Sequence, residues 1–181
     1  MEEGYVIERP NRAKASSRTT RAIVVFLLLL SAALMLIVIL GGWSALQSGQ
    51  VLQLAIVVIY LVMAYYVSRW NRGPLPVAAA IAIILGIFAA VAAPGWFDRD
   101  KTGFATPDSV FGGTGFESAT LGVVTILIIP VQLLLIGFAL QAFRQDWHVE
   151  VERPVGVQAH GAGAAAGTSR PVGTRSRRAR A

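Results

Sequence analysis

The sequence predicts an all-α, polytopic membrane protein: four transmembrane helices in an antiparallel bundle, with both termini cytoplasmic. Three observations carry the prediction. Four long apolar runs, 22–42, 51–68, 75–97 and 118–143, contain no Asp, Glu, Lys, Arg or His. Basic residues collect on alternate connections between the runs. The four tryptophans, Trp43, Trp70, Trp96 and Trp147, all stand at or just beyond run ends.

Run length matches the bilayer. A hydrocarbon core of about 30 Å needs roughly 20 apolar residues at a rise of about 1.5 Å each. The run 51–68 is a little short and 118–143 a little long, which local thinning or tilt absorbs. Lipid offers an open strand edge no hydrogen-bond partner, and a barrel would show short alternating segments, so the runs read as helices. Helices of a soluble bundle would each carry a polar face, and these carry none. The charged fraction of 14% lies well below the roughly 25% of a soluble domain, and the charge is confined to tails and connections.

Orientation follows from the basic residues. Arg9, Arg12, Lys14, Arg18 and Arg21 precede the first run, Arg69 and Arg72 separate the second and third, and Arg144, Arg153, Arg170, Arg175, Arg177, Arg178 and Arg180 follow the fourth. The other two connections hold only Arg99 and Lys101. Cytoplasmic connections of plasma-membrane proteins collect Lys and Arg, which puts both termini inside. The net charge of +6 is mostly this topology signal and does not call for a nucleic-acid partner. The tryptophans form two interfacial anchor belts, Trp43 and Trp96 outside and Trp70 and Trp147 inside. The first run is too long for the apolar core of a cleaved signal peptide and no clean cleavage site follows it, so it reads as a signal anchor.

The elements follow in order. Residues 1–21 are polar, mixed in charge and expected to be disordered. The transmembrane domain spans 22–147. Its first helix is bulky nearly all round and expected to face lipid, and Gly41-Gly42 ends it. Gly73-Pro74-Leu75-Pro76 separates the second helix from the third. In the third, Ala78, Ala82, Gly86 and Ala90 form a small-residue stripe that admits a close helix neighbour, which predicts a central position or a dimer face. Pro94-Gly95 is expected to end it, opening an outer loop over 98–117. Thr114 and Glu117 fit a capping box, with Thr114 as N-cap of the fourth helix. Mid-span, Pro130 predicts a hinge, and Gln132 must find a partner away from lipid. Residues 148–181 form a basic cytoplasmic tail of disordered composition, whose Arg175, Arg177, Arg178 and Arg180 attract anionic lipids.

Few residues offer chemistry. Asp98, Asp100 and Thr102 occupy the first, third and fifth places of a calcium loop, with Gly103 at the sixth. Ser109 stands where a bidentate glutamate belongs, so the calcium pattern fails there and a solvated turn is the better reading of the segment. Asp100-Lys101-Thr102-Gly103 resembles the phosphorylated-aspartate motif of P-type ATPases, but no nucleotide-binding domain accompanies it. Gly112-Gly113-Thr114-Gly115 lacks the ending of a phosphate loop. His148 and His160 stand in the tail without an acid or nucleophile pattern beside them. Without cysteine there is no thiolate chemistry. Spans free of ionisable residues argue against proton relays and ion-coupled transport.

Arginine outnumbers lysine and alanine is abundant. With the tail segment Gln145-Asp146-Trp147-His148-Val149-Glu150-Val151-Glu152, the whole chain resembles small four-span membrane proteins of actinobacteria. The resemblance implies a membrane fold and no particular activity. The expected function is a non-enzymatic structural or accessory component of a membrane assembly, with no cofactor and with a membrane-protein partner or a homo-oligomer. The alternatives are a small oligomeric permease or channel with Pro130 and Gln132 beside the path, and an enzyme using Asp98, Asp100 and Asp108.

Overall fold

A computed structural model describes residues 5–8, 10–47, 49–147 and 149–154. The terminal arginines Arg170, Arg175, Arg177, Arg178 and Arg180 lie outside the described residues, as do His148 and His160. The described residues divide into two units, one holding residues 5–8 and 150–154, the other residues 10–47, 49–147 and 149.

In the first unit, β1 (Tyr5–Glu8) pairs antiparallel with β2 (Val151–Pro154), setting Tyr5 opposite Pro154 and Glu8 opposite Val151. Both strands fall in segments whose composition suggested disorder. The alternation Val149-Glu150-Val151-Glu152 suits an extended chain, and a proline is tolerated in so short a ribbon because it ends the strand.

The second unit is helical: α1 (Pro10–Ala13), α2 (Ala15–Gly41), α3 (Trp43–Leu46), α4 (Gly49–Ser68), α5 (Pro74–Lys101) and α6 (Ser118–Arg144). Of these, α2, α4, α5 and α6 are long and apolar enough to cross a membrane. The 20 residues of α4 reach about 30 Å, the thickness of the hydrocarbon core. At 27 residues, α2 reaches about 40 Å, so its polar first turns, through Arg21, lie beyond the apolar stretch. Large apolar side chains such as Phe26, Val58, Val91 and Leu133 cover the outside, a surface that would aggregate in water and that lipid solvates.

Three sequence expectations are corrected, and a fourth, the small-residue stripe, holds in part. The first long helix is not the lipid-facing one: α2 is the most buried of the four and packs on both α4 and α6. Its buried positions Val24, Leu27, Leu28, Ser31, Ala32, Met35, Val38 and Ile39 follow helical spacing and form a single face. The third helix, α5, packs chiefly on α6. Its buried face runs through Leu75, Ala78, Ala79, Ala82, Leu85, Ala89, Ala93 and Trp96. Ala78 and Ala82 are therefore inside, Gly86 is half-buried and Ala90 is exposed.

Pro94 does not end α5, which continues to Lys101. A proline costs one N–H and its ring crowds the carbonyl four residues back. Here the buried Ala93 and Trp96 hold the helix on either side of it. Finally, the capping box does not form. Thr114 bridges to Asp108, and α6 begins at Ser118 with Glu117 as an N-cap that makes no side-chain bond. Residues 115–116 are held in the loop instead: Gly115 N–H donates to the Pro107 carbonyl at 2.7 Å and Phe116 N–H to the Gly41 carbonyl at 3.0 Å.

Candidate functional site

Three regions of the helical unit gather polar groups. The first lies at the middle of the long helices. The Tyr60 hydroxyl of α4 donates to Gln132 Oε1 of α6 at 2.9 Å. Gln132 Nε2 donates to Ser31 Oγ of α2 at 3.0 Å. Ser31 Oγ in turn donates to the Leu27 carbonyl at 2.7 Å. All three side chains are fully buried. An unpaired amide in an apolar interior costs several kcal/mol, so each group in this chain stabilises the next. Gly86 of α5 backs the site, and a Cβ placed there would lie 3.7 Å from Gln132 Cβ, an ordinary contact. Pro130 stands two residues before Gln132 inside the continuous α6 and is exposed. Two residues on a helix are about 200° apart, so the proline and the glutamine belong to opposite faces.

The second region lies at the end where α4 stops and α5 starts, called here the arginine end. Trp147 is fully buried. Its ring meets the Trp70 ring edge-on, with centroids 5.4 Å apart and planes at 84°. The Arg21 guanidinium lies 4.1 Å over the Trp70 ring, and Arg21 also donates to the Ser68 carbonyl at 2.9 Å, satisfying the end of α4. Arg12 Nε donates to the Trp147 carbonyl at 3.1 Å, and Asn11 Nδ2 to the Asp146 carbonyl at 3.0 Å. Arg72 is ion-paired with the Asp146 carboxylate and lies 4.5 Å over the Phe143 ring. Gln145 completes the cluster: its Nε2 donates to Thr20 Oγ1 of α2 at 3.0 Å and its Oε1 accepts from Trp147 Nε1 at 3.2 Å.

Trp70 has a positive φ of 65°. Its N–H donates to the Val67 carbonyl and the Asn71 N–H to the Tyr66 carbonyl, the two bonds of a Schellman motif. Glycine is the usual occupant of that position; here the stacked Trp147 and Arg21 hold a tryptophan in it.

The third region is the opposite, loop end. The segment 107–116 folds back on the end of α2: Val110 N–H donates to the Leu40 carbonyl at 3.2 Å and Phe116 N–H to the Gly41 carbonyl at 3.0 Å. Two carbonyls that a helix end leaves orphaned are satisfied this way. Asp108 N–H donates to Ser44 Oγ at 2.8 Å. The calcium-loop residues do not form a loop. Asp98 and Asp100 lie on the last turn of α5, about 200° apart. The Thr102 hydroxyl is spent on the Asp98 and Arg99 carbonyls, at 2.8 and 3.2 Å. Asp98 lies 3.9 Å from Lys101, and no group of three His, Cys, Asp or Glu side chains gathers among the described residues. Trp43 and Trp96 are at this end; Trp43 is half-buried, and Trp96 is buried with Val38 and Leu121.

Sequence reasoning singled out Gln132 but not its partners. A signal for them existed: Ser31 and Tyr60 are among the few polar residues of their runs, and each stands near the middle of its run, as Gln132 does. Nothing in the sequence pointed to the Trp70–Trp147 stack.

The fold defines the class, a helical protein with four helices long and apolar enough to cross a membrane. No family model, no curated protein and no solved structure matches the chain.

Proposed function

We propose that the protein is a plasma-membrane protein whose four spans run antiparallel with both termini cytoplasmic, and that it is a non-enzymatic structural or accessory component of a membrane assembly. The observation that carries this reading is the closed chain Tyr60–Gln132–Ser31. The most central strongly hydrogen-bonding side chain of the spans is consumed by its own neighbours, which leaves the apolar exterior and the tails as working surfaces.

The orientation rests on the arginines. It is supported by the pairing of β1 with β2, which needs both chain ends on one side of a bilayer. The antiparallel course is supported by two contacts of opposite sequence order: α2 meets α6 through Ser31 with Gln132 and through Thr20 with Gln145. Basic residues of the tail, Arg175, Arg177, Arg178 and Arg180, add attraction to anionic lipid of about 1 kcal/mol each.

Crosslinking in native membranes followed by affinity purification tests the reading. A stoichiometric protein partner or a homo-oligomer is expected, and a monomer with no co-purifying protein overturns it. The permease alternative places Pro130 and Gln132 beside one path, and their opposite faces weigh against it. Solute flux in reconstituted vesicles that falls with Gln132→Leu would restore it. The enzyme alternative needs Asp98, Asp100 and Asp108 to converge, and the helical placement of the first two weighs against that.

A further inference from the structure

Of the packed pairs of long helices, α4 and α5 touch least. The short turn 69–73 joins them at the arginine end, and towards the loop end they leave a cavity of about 460 Å³ between them. Met35, Leu52, Ile56, Leu85, Phe88 and Ile128 line it. Its size falls in the range of small-molecule sites, about 300–1,000 Å³. Its lining is apolar apart from Gln53 and Thr125, and such a cavity takes hydrocarbon more readily than water.

The cavity does not end blind. Leu46, Ala92 and Trp96 line it and also line a second hollow, which reaches Asp98, Arg99, Thr102 and Phe104. In that hollow Arg99 Nε is buried with no hydrogen-bond partner, and the guanidinium lies 5.1 Å over the Phe104 ring. The neighbouring carboxylate, Asp98, faces Lys101 at 3.9 Å. A buried guanidinium N–H without a partner is costly, and the fork of the group matches a phosphate.

We propose that this crevice binds an anionic phospholipid, with one acyl chain in the cavity between α4 and α5 and the phosphate on Arg99. Arg99 stands about 10 Å along α5 from Ala92, the offset of a headgroup at the interface from a chain in the hydrocarbon. A partner helix, about 10 Å across, is wider than a cavity of about 460 Å³ admits. The site rests on the reading of α4 and α5 as membrane spans and is independent of any protein partner.

The full chain in mild detergent, exposed to phosphatidylglycerol or phosphatidylcholine of matched chains, tests this by native mass spectrometry. One phosphatidylglycerol is retained in preference to phosphatidylcholine. Arg99→Gln weakens its retention about tenfold, while Lys14→Gln, which removes the same charge at the other end, leaves it unchanged. Ala92→Trp, at an exposed position shared by both hollows, blocks both lipids. Should that variant unfold at lower temperature than the parent, Leu52→Trp fills the cavity from the α4 wall instead. Equal retention of the two lipids, indifference to Arg99→Gln, or retention that survives a filled cavity overturns the proposal. So does a lipid-free dimer that crosslinks through Ala92→Cys.

Discussion

The Tyr60 hydroxyl donates a 2.9 Å hydrogen bond to Gln132 Oε1, joining α4 to α6 at mid-helix. Gln132 passes the connection on to Ser31 of α2, so one amide ties three of the four long helices. In hydrocarbon no water takes the place of a lost partner, although an unfolded chain in a bilayer also finds partners, which keeps such bonds near 0.6–2 kcal/mol.

Gln132→Leu therefore destabilises the helical unit by about 1–2 kcal/mol, read from unfolding in mixed detergent and dodecyl sulfate micelles. Tyr60→Phe costs less in the Gln132→Leu background than in the parent, because its partner is already gone. A double-mutant cycle with no coupling between the two positions would show that the bond contributes nothing.

At the arginine end, Trp70 occupies a left-handed position that favours glycine. Trp70→Gly removes the strain and loses the contacts with Trp147 and Arg21; Trp70→Ala loses the contacts and keeps the strain. Both variants melt below the parent, and the glycine variant is the more stable of the two by about 1 kcal/mol. An alanine variant equal to the glycine variant would mean that the backbone at 70 relaxes once the ring is removed. Thermal unfolding of the three proteins in one detergent decides this.

The spans were legible in the sequence and their neighbours were not, and the reason is the solvent. Bilayer thickness and the exclusion of charge dictate where a run starts and stops, so the run 51–68 lies within α4 and the run 118–143 within α6. Lipid is as apolar as leucine, so a bulky side chain carries no instruction to face it. Leu27, Leu28 and Met35 are buried while Phe26 and Leu29 are exposed, and composition alone does not separate them. Gln132 was legible as a group in need of partners because burial of an amide imposes that need. Trp147 was not legible as a core residue, because a tryptophan at a span end has the same sequence signature whether it meets headgroups or, as here, Trp70. The end of α5 was misread because Pro94 is a local signal, and the burial of Ala93 and Trp96 that outweighs it is tertiary.

The docking of the 107–116 segment on α2 depends on backbones in close approach. A Cβ at Gly115 would fall on the Gly41 carbonyl oxygen and lie 2.8 Å from that of Pro107. Gly115→Ala lifts the segment off the helix end. The Val110 and Phe116 amides then exchange with deuterium at least tenfold faster, while amides around Ser31 keep their protection. Unchanged exchange at Val110 and Phe116 would show that the segment accommodates the methyl group by shifting as a unit.

Orientation has a direct test, because the chain has no native cysteine and any introduced thiol is the only one. Ala15→Cys lies at the start of α2, next to the basic segment, and Ala105→Cys lies in the connection between α5 and α6; both positions are exposed. If basic connections stay inside, a membrane-impermeant maleimide added to intact cells labels Ala105→Cys, and labels Ala15→Cys only after the membrane is opened. The reverse pattern would invert the protein and move Arg99 with its crevice to the cytoplasmic leaflet. Labelling of both positions in intact cells would place the two ends of the helical unit on one side. That outcome is incompatible with α2, α4 and α5 each crossing once between those two positions.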